Sequence, residues 1–260
     1  MTDQHVPAAD LTGWLVPFLV VALPAGLYGW GIARRERPWS RWRTAALLTG
    51  TVVVAVALSP PVAANAHTDA RGHMVQHLLL GMYAPLALVL SAPVTLFLGA
   101  APGSARRRVA AALRSRPLHV LSHPVPAALL STGSLFLLYL TPLYELSMER
   151  PAAHALLNLH FVAAGCLFAW TIAGPDPAPR RPGVLTRAVV LVGAMAAHAY
   201  LAKLLYARAE QLPLAAVHEV PQIEQAAQLM YYGGDGAEIL LAVALFAGWY
   251  RARGRARRLV

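Results

Sequence analysis

Residues 73–99 read HMVQHLLLGMYAPLALVLSAPVTLFLG, an apolar stretch that opens on two histidines. Its 27 residues exceed the roughly 20 that an α-helix needs to cross a bilayer. Proline removes a backbone hydrogen bond and presses on the carbonyl four residues earlier. Pro85 and Pro93 therefore predict kinks near Gly81 and Val89. The stretch is predicted to be a long, bent membrane-spanning helix.

The rest of the chain has the same apolar character. Of the 260 residues, 57% are hydrophobic and only 13% are charged, and the mean hydropathy is +0.50. This composition is too apolar for a soluble domain whose surface must be wetted. We predict an all-α helical bundle that spans the membrane seven times and forms a single domain over residues 1–260. The predicted spans are residues 13–33, 44–61, 73–99, 121–144, 151–173, 184–207 and 226–250.

Positive charge alternates between the predicted loops. Of the 22 Lys and Arg residues, 18 follow the first, third, fifth and seventh spans, within residues 34–43, 106–116, 180–187 and 251–258. Short loops rich in these residues stay cytoplasmic. The N-terminus is therefore predicted to be outside and the C-terminus cytoplasmic. The net charge of +10 is explained by this topology and by attraction to anionic membrane lipid, so no nucleic-acid partner is expected.

The start of the third span carries side chains that can bind metal. On a helix at 100° per residue, His77 lies at about 40° and Met74 at about 100° from His73, within one sector. Imidazole suits zinc and copper, and a thioether shifts the preference toward Cu(I). An ordinary interpretation also stands: histidine at the membrane boundary is solvated at little cost, and methionine fills gaps in cores. The only cysteine, Cys166, excludes an intramolecular disulfide and a site rich in thiolates.

Further polar residues lie in the later spans. His154 and His160 are in the fifth span and His198 is in the sixth, all toward the predicted outer side, while Asp235 and Glu238 lie near the middle of the seventh. Polar groups at such depth are costly and tend to face the bundle interior. They could bind a metal, or they could hydrogen-bond neighbouring helices. The candidate metal ligands are His73, Met74, His77, His154, His160 and His198.

Two blocks of sequence resemble a known family. The first contains HMVQHLLL at 73–80, APL at 84–86 and SAPVT at 91–95; the second runs from NLHF at 158–161 to GPDPAPRR at 174–181, followed by His198. Together they resemble the CtaG-type (Caa3 family) cytochrome c oxidase assembly proteins over residues 10–252. The final span departs from the family pattern, because Gly233, Gly234 and Glu238 are offset and a tryptophan is missing.

The resemblance implies a role in building haem-copper oxidase in the bacterial plasma membrane, without catalytic turnover. It implies that copper, carried transiently as Cu(I), is supplied to the copper centre of the oxidase large subunit. A soluble copper carrier is a further candidate partner. In this interpretation His73, Met74 and His77 receive the ion, and His154, His160 and His198 hold or pass it.

Other classes of function make different demands on these residues. A zinc protease of the His-Glu-x-x-His type needs a glutamate where Met74 stands, so hydrolysis is disfavoured. Histidines on facing helices could instead ligate haem iron axially. The buried His, Asp, Glu and Lys residues could also line a path for copper or protons through a transporter.

Overall fold

The computed structural model describes residues 11–179 and 181–257. Over these ranges the chain forms helices and no β-strand. Arg180 and Arg258, which contribute to the predicted charge asymmetry, lie outside the described residues. The α-helices are α1 (Leu15–Ala33), α2 (Arg41–Ala57), α3 (Pro60–Thr68), α4 (Ala70–Leu78), α5 (Ala84–Leu90), α6 (Pro93–Ala100), α7 (Gly103–Leu113), α8 (Arg116–Leu121), α9 (Pro124–Ala128), α10 (Ser134–Leu140), α11 (Leu143–Glu149), α12 (Pro151–Ala173), α13 (Val184–Ala207) and α14 (Val220–Arg257).

Five stretches are long and apolar enough to cross a membrane as single helices: Leu15–Ala33, Ala70–Ala100, Pro151–Ala173, Val184–Ala207 and Val220–Gly254. Two bent pairs also qualify, Arg41–Ala57 with Pro60–Thr68 and Pro124–Leu140 with Leu143–Glu149. If each bent pair is one span, the described residues contain seven, by length and composition. The predicted helical membrane bundle is confirmed. The predicted orientation stays a prediction.

The bent spans correct two of the predicted boundaries. The second span was predicted to end at residue 61, but α3 continues it to Thr68 after a bend of 52°. The fourth was predicted over 121–144, but it starts at Pro124 and bends by 82° into α11. Each bend precedes a proline, Pro60 or Pro142, which cannot continue the hydrogen-bond ladder and disfavours helical geometry in the preceding residue.

Both prolines of the third span interrupt its α-helix, as predicted. A π-helical turn over Leu79–Tyr83 precedes Pro85. The α-helix is interrupted again just before Pro93, where Ala92 has a positive φ of 55°. A π turn relieves the conflict with proline and often marks a functional position. Here it begins two residues after His77.

The third span is fixed at its far end by the loop after α12. Asp176 Oδ2 accepts the Val94 N–H at 3.0 Å, and its Oδ1 accepts the Thr95 N–H at 2.7 Å. These bonds satisfy the free N–H groups at the start of α6, where a negative charge is favourable. The guanidinium of Arg181 donates to the Asp176 carbonyl at 2.8 Å. This part of the second sequence block therefore holds the bundle together.

Helix α12 lies directly against the π turn of the third span. A Cβ atom added at Gly165 would collide with the carbonyl oxygen of Gly81 and would come within 2.8 Å of Pro85 Cγ. Only glycine permits this approach of two backbones. The contact sets the distance between the helix that carries His77 and the helix that carries His154.

Candidate functional site

The buried histidines gather at the end of the bundle where α4 and α12 begin and α13 ends, which we call the histidine end. Asp69 opens α4, because its Oδ1 accepts the Arg71 N–H at 2.8 Å. Both His73 and His77 are buried on this helix. Between them, Gln76 Nε2 donates to the Ala57 carbonyl at 2.8 Å, which attaches α4 to the end of α2.

His73 lies among aromatic rings. Its ring centroid is 4.9 Å from that of Tyr144, and each of His154 and Phe161 is 6.5 Å away. The side chain is 2% exposed, and neither ring nitrogen has a hydrogen-bond partner among the described residues. The imidazole is thus desolvated without compensation from the protein.

His77 lies one helical turn deeper and is likewise buried among other rings. Phe161 packs edge-on against it at 4.6 Å between centroids, and the His198 ring on α13 is 6.3 Å away. Both nitrogens of His77 and both of His198 lack hydrogen-bond partners in the described part of the chain. His77 and His198 therefore form a second pair of imidazoles below His73 and His154.

His154 links the pairs to the surface. Its ring is buried with both nitrogens unpartnered, and it lies 4.2 Å from the ring of His67. His67, at the end of α3, is exposed. The sequence did not indicate this residue, because α3 was predicted to be loop.

Glu238 lies beyond His198 and completes the series. Its Oε1 is 4.0 Å from His198 Nδ1, and its Oε2 is unpartnered within the described ranges. Gly234, one turn earlier on α14, makes room for the imidazole, because a Cβ there would collide with the His198 ring. We call His67, His154, His73, His77 and His198, ending at Glu238, the histidine ladder.

The other two predicted ligands have different surroundings. His160 Nε2 is 3.1 Å from the Leu130 carbonyl and 3.0 Å from Ser134 Oγ, so it bonds the neighbouring π turn and helix. It also lines a small cavity together with His77 and His198. Met74 packs in the apolar core and is 1% exposed.

The ladder is not a closed metal cage. Among the described residues, no three His, Cys, Asp or Glu side chains are close enough to hold one metal ion together. The imidazoles instead meet in neighbouring pairs that run inward from the exposed His67. Such an arrangement suits a metal ion that exchanges its protein ligands one at a time.

The loop between α13 and α14 contacts the ladder through Tyr144. The His218 side chain is buried there, and its Nε2 forms a 2.7 Å hydrogen bond with the Tyr144 hydroxyl. Burial lowers the pKa of His218, and the nearby Asp69 carboxylate partly opposes that shift. Because Tyr144 packs on His73, the loop supports the wall of the ladder. The predicted spans 184–207 and 226–250 leave these residues in the connection between the sixth and seventh spans.

Fold and site define a multi-spanning helical membrane protein that carries, at one end, a series of buried imidazoles without hydrogen-bond partners among residues 11–179 and 181–257. The chain belongs to the cytochrome c oxidase caa3 assembly factor family (Caa3_CtaG), whose model matches residues 26–252. The family assignment made from the two sequence blocks is confirmed.

Relatives occur in mycobacteria. The chain is 35% identical to uncharacterized proteins of Mycobacterium bovis and Mycobacterium tuberculosis over 208 residues, which are 74% of this chain and 31% of each relative. It is 31% identical to an uncharacterized protein of Mycobacterium leprae over 238 residues, 85% of this chain and 36% of the relative. The chain thus spans about a third of the length of these relatives. No solved structure matches it.

Proposed function

We propose that this chain helps assemble haem-copper cytochrome c oxidase in the bacterial plasma membrane by binding Cu(I) at the histidine ladder. It delivers the ion to the copper centre of the oxidase large subunit, without catalytic turnover, after receiving it from a soluble carrier. One observation carries the proposal: His73, His77, His154 and His198 are buried with all eight ring nitrogens unpartnered in the described part of the chain.

The energetics favour a ligand at these nitrogens. A buried polar group left without a hydrogen bond costs about 1–3 kcal/mol. Folded proteins therefore satisfy nearly all such groups, and exceptions call for a functional explanation. A helix-bonding role accounts for His160, which has its partners, but not for these four residues. A bound cation would be ligated by the lone-pair nitrogen of each ring that holds it, and only the N–H of that ring would then lack a partner among the described residues.

The spacing of the rings also suits a shared ion. Imidazole nitrogens bind zinc at about 2.0–2.1 Å, so two rings on opposite sides of an ion of similar size have centroids roughly 6 Å apart. The His73–His154 and His77–His198 centroids are 6.5 and 6.3 Å apart. The centroid distances therefore leave room for one ion between the rings of each pair. His160, which lines a cavity with His77 and His198, and Met74, next to His73 on α4, are further candidate ligands.

The packing argues against haem between these helices. Phe161 lies against both His73 and His77, with centroids 6.5 and 4.6 Å away. A macrocycle inserted between facing histidines would displace this ring and the core behind it. A single small ion requires no such rearrangement.

The proposal predicts a defect in oxidase assembly. A strain that carries His73→Ala/His77→Ala in place of the natural chain should contain the variant in its membrane but lack active haem-copper oxidase. The reason is that two successive histidines of the ladder are lost. Haem absorbance of the oxidase in isolated membranes and oxygen consumption measure the effect. His119→Ala/His123→Ala is the matched control, since it removes two exposed histidines four residues apart at the other end. Normal oxidase in the first strain would refute the assembly role of the ladder.

A further inference from the structure

Glu238 is the one carboxylate of the ladder, and its surroundings are unusual. The side chain is 3% exposed, and its Oε2 has no hydrogen-bond partner among the described residues. Its other oxygen is 4.0 Å from His198 Nδ1, which is too far for a hydrogen bond. Neither side chain therefore satisfies the other as they stand. A structural ion pair would be expected to close this gap.

Two small neighbouring cavities lie beside His198 and Glu238. One is lined by His77, His160 and His198, and the other is lined by Glu238. Their walls share Gly81, Met82, Ser131 and Thr132. The cavity next to the imidazoles and the cavity next to the carboxylate are therefore neighbours.

A cation that descends the ladder meets an electrostatic problem. Neutral imidazoles supply lone pairs but no negative charge, and an isolated charge in a low-dielectric interior is strongly disfavoured. The carboxylate of Glu238 supplies the opposite charge at the innermost rung. A cation between His198 and Glu238 would form an overall neutral unit.

The ladder has no described continuation below Glu238. Of the described residues that line the second cavity, Glu238 is the sole ionisable one, and the wall beyond it consists of apolar side chains such as Leu86, Phe168 and Leu241. An ion that moved further would leave every ligand behind. The geometry favours a blind end over a channel.

We propose that His198 and Glu238 form the terminal cation site of the ladder, where the ion is held as a neutral unit before it leaves through the histidine end by which it entered. The proposal rests on copper binding by the ladder. It gives Glu238 the role of a ligand and makes the chain a reservoir that fills and empties on one side of the membrane.

The test compares charge-neutralising variants of two neighbouring carboxylates. Cu(I) affinity is measured anaerobically, with a chromophoric Cu(I) chelator as competitor, for the wild type, Glu238→Gln and Asp235→Asn in detergent. Glu238→Gln keeps the shape of the side chain and should bind about 10- to 100-fold more weakly, the range typical when a group that supports a metal site is lost. Asp235→Asn, three residues earlier on the same helix and only partly buried, removes a nearby charge that is not a ligand, so it should lose much less affinity than Glu238→Gln.

Two further measurements separate the possible failures. Glu238→Asp, which retains the charge, should recover at least part of the affinity; an equal loss in Gln and Asp variants would indicate a packing role and overturn the proposal. If Glu238→Gln binds Cu(I) with an affinity within twofold of that of Asp235→Asn, the proposal is also overturned. Copper binding by the wild type would still support the proposed function in that case. In sealed proteoliposomes the wild type should not carry Cu(I) across, and a flux that exceeds empty vesicles would overturn the blind end.

Discussion

Purified His73→Ala/His77→Ala protein should lose most of its Cu(I) binding. The two residues lie on successive turns of α4, and each is paired with another histidine of the ladder. His73 faces His154, and His77 faces His198. Their removal leaves no adjacent pair in the middle of the ladder. Single substitutions should weaken binding less, because one pair survives. Titration with Cu(I) under anaerobic, reducing conditions measures the effect.

The control for this variant must share its chemistry. His119→Ala/His123→Ala removes the same number of imidazoles at the same spacing, from exposed positions at the other end of the bundle. It should bind Cu(I) like the wild type. Equal loss in both double variants would point to non-specific binding by surface histidines, and unchanged binding in His73→Ala/His77→Ala would contradict the ladder.

Replacement of Gly165 by valine should prevent the bundle from packing. Its Cβ would collide with the Gly81 carbonyl oxygen and press on the Pro85 ring, which is bonded to the backbone of the third span. Neither can move aside like a flexible side chain. Overpacking of cores costs typically about 1–3 kcal/mol, and a backbone collision lies at the upper end. We expect a lower melting temperature in detergent and a lower yield of monodisperse protein.

Gly193→Val provides the comparison. This glycine lies in the interior of α13, and an added Cβ meets nothing within 4 Å. It should melt close to the wild type, which separates a general effect of valine in a helix from the collision at Gly165. If Gly165→Val has the same melting temperature as Gly193→Val, the close approach of α12 to the π turn is wrong.

Apolar length was sufficient to predict the architecture. The seven predicted stretches correspond to five single helices and two bent pairs, because a bilayer imposes a minimum length that composition reveals directly. Bends are harder to predict. Pro60 and Pro142 stood in the sequence, but whether a helix ends at a proline or resumes after it depends on packing by neighbours.

The site was predicted in part for a similar reason. Helical spacing was enough to place His73 and His77 on one face, and depth placed His154 and His198 near them. Contacts between helices distant in sequence were beyond reach, so the pairings His67–His154 and His198–Glu238 come from the structure. His160 was also predicted as a ligand, and the structure adds that its Nε2 lies within hydrogen-bond distance of the Leu130 carbonyl and of Ser134 Oγ. Helical spacing alone places His160 about 120° around α12 from His154, but it cannot show which neighbours the side chain meets there.

X-ray absorption at the copper edge of Cu(I)-loaded wild-type protein tests the central claim most directly. Cu(I) held by pairs of ladder histidines should show a first shell dominated by nitrogen, with the multiple-scattering pattern of imidazole. That pattern should be much weaker in His73→Ala/His77→Ala. Folded wild-type protein that binds no copper, or a bound ion whose shell shows no imidazole, would contradict it.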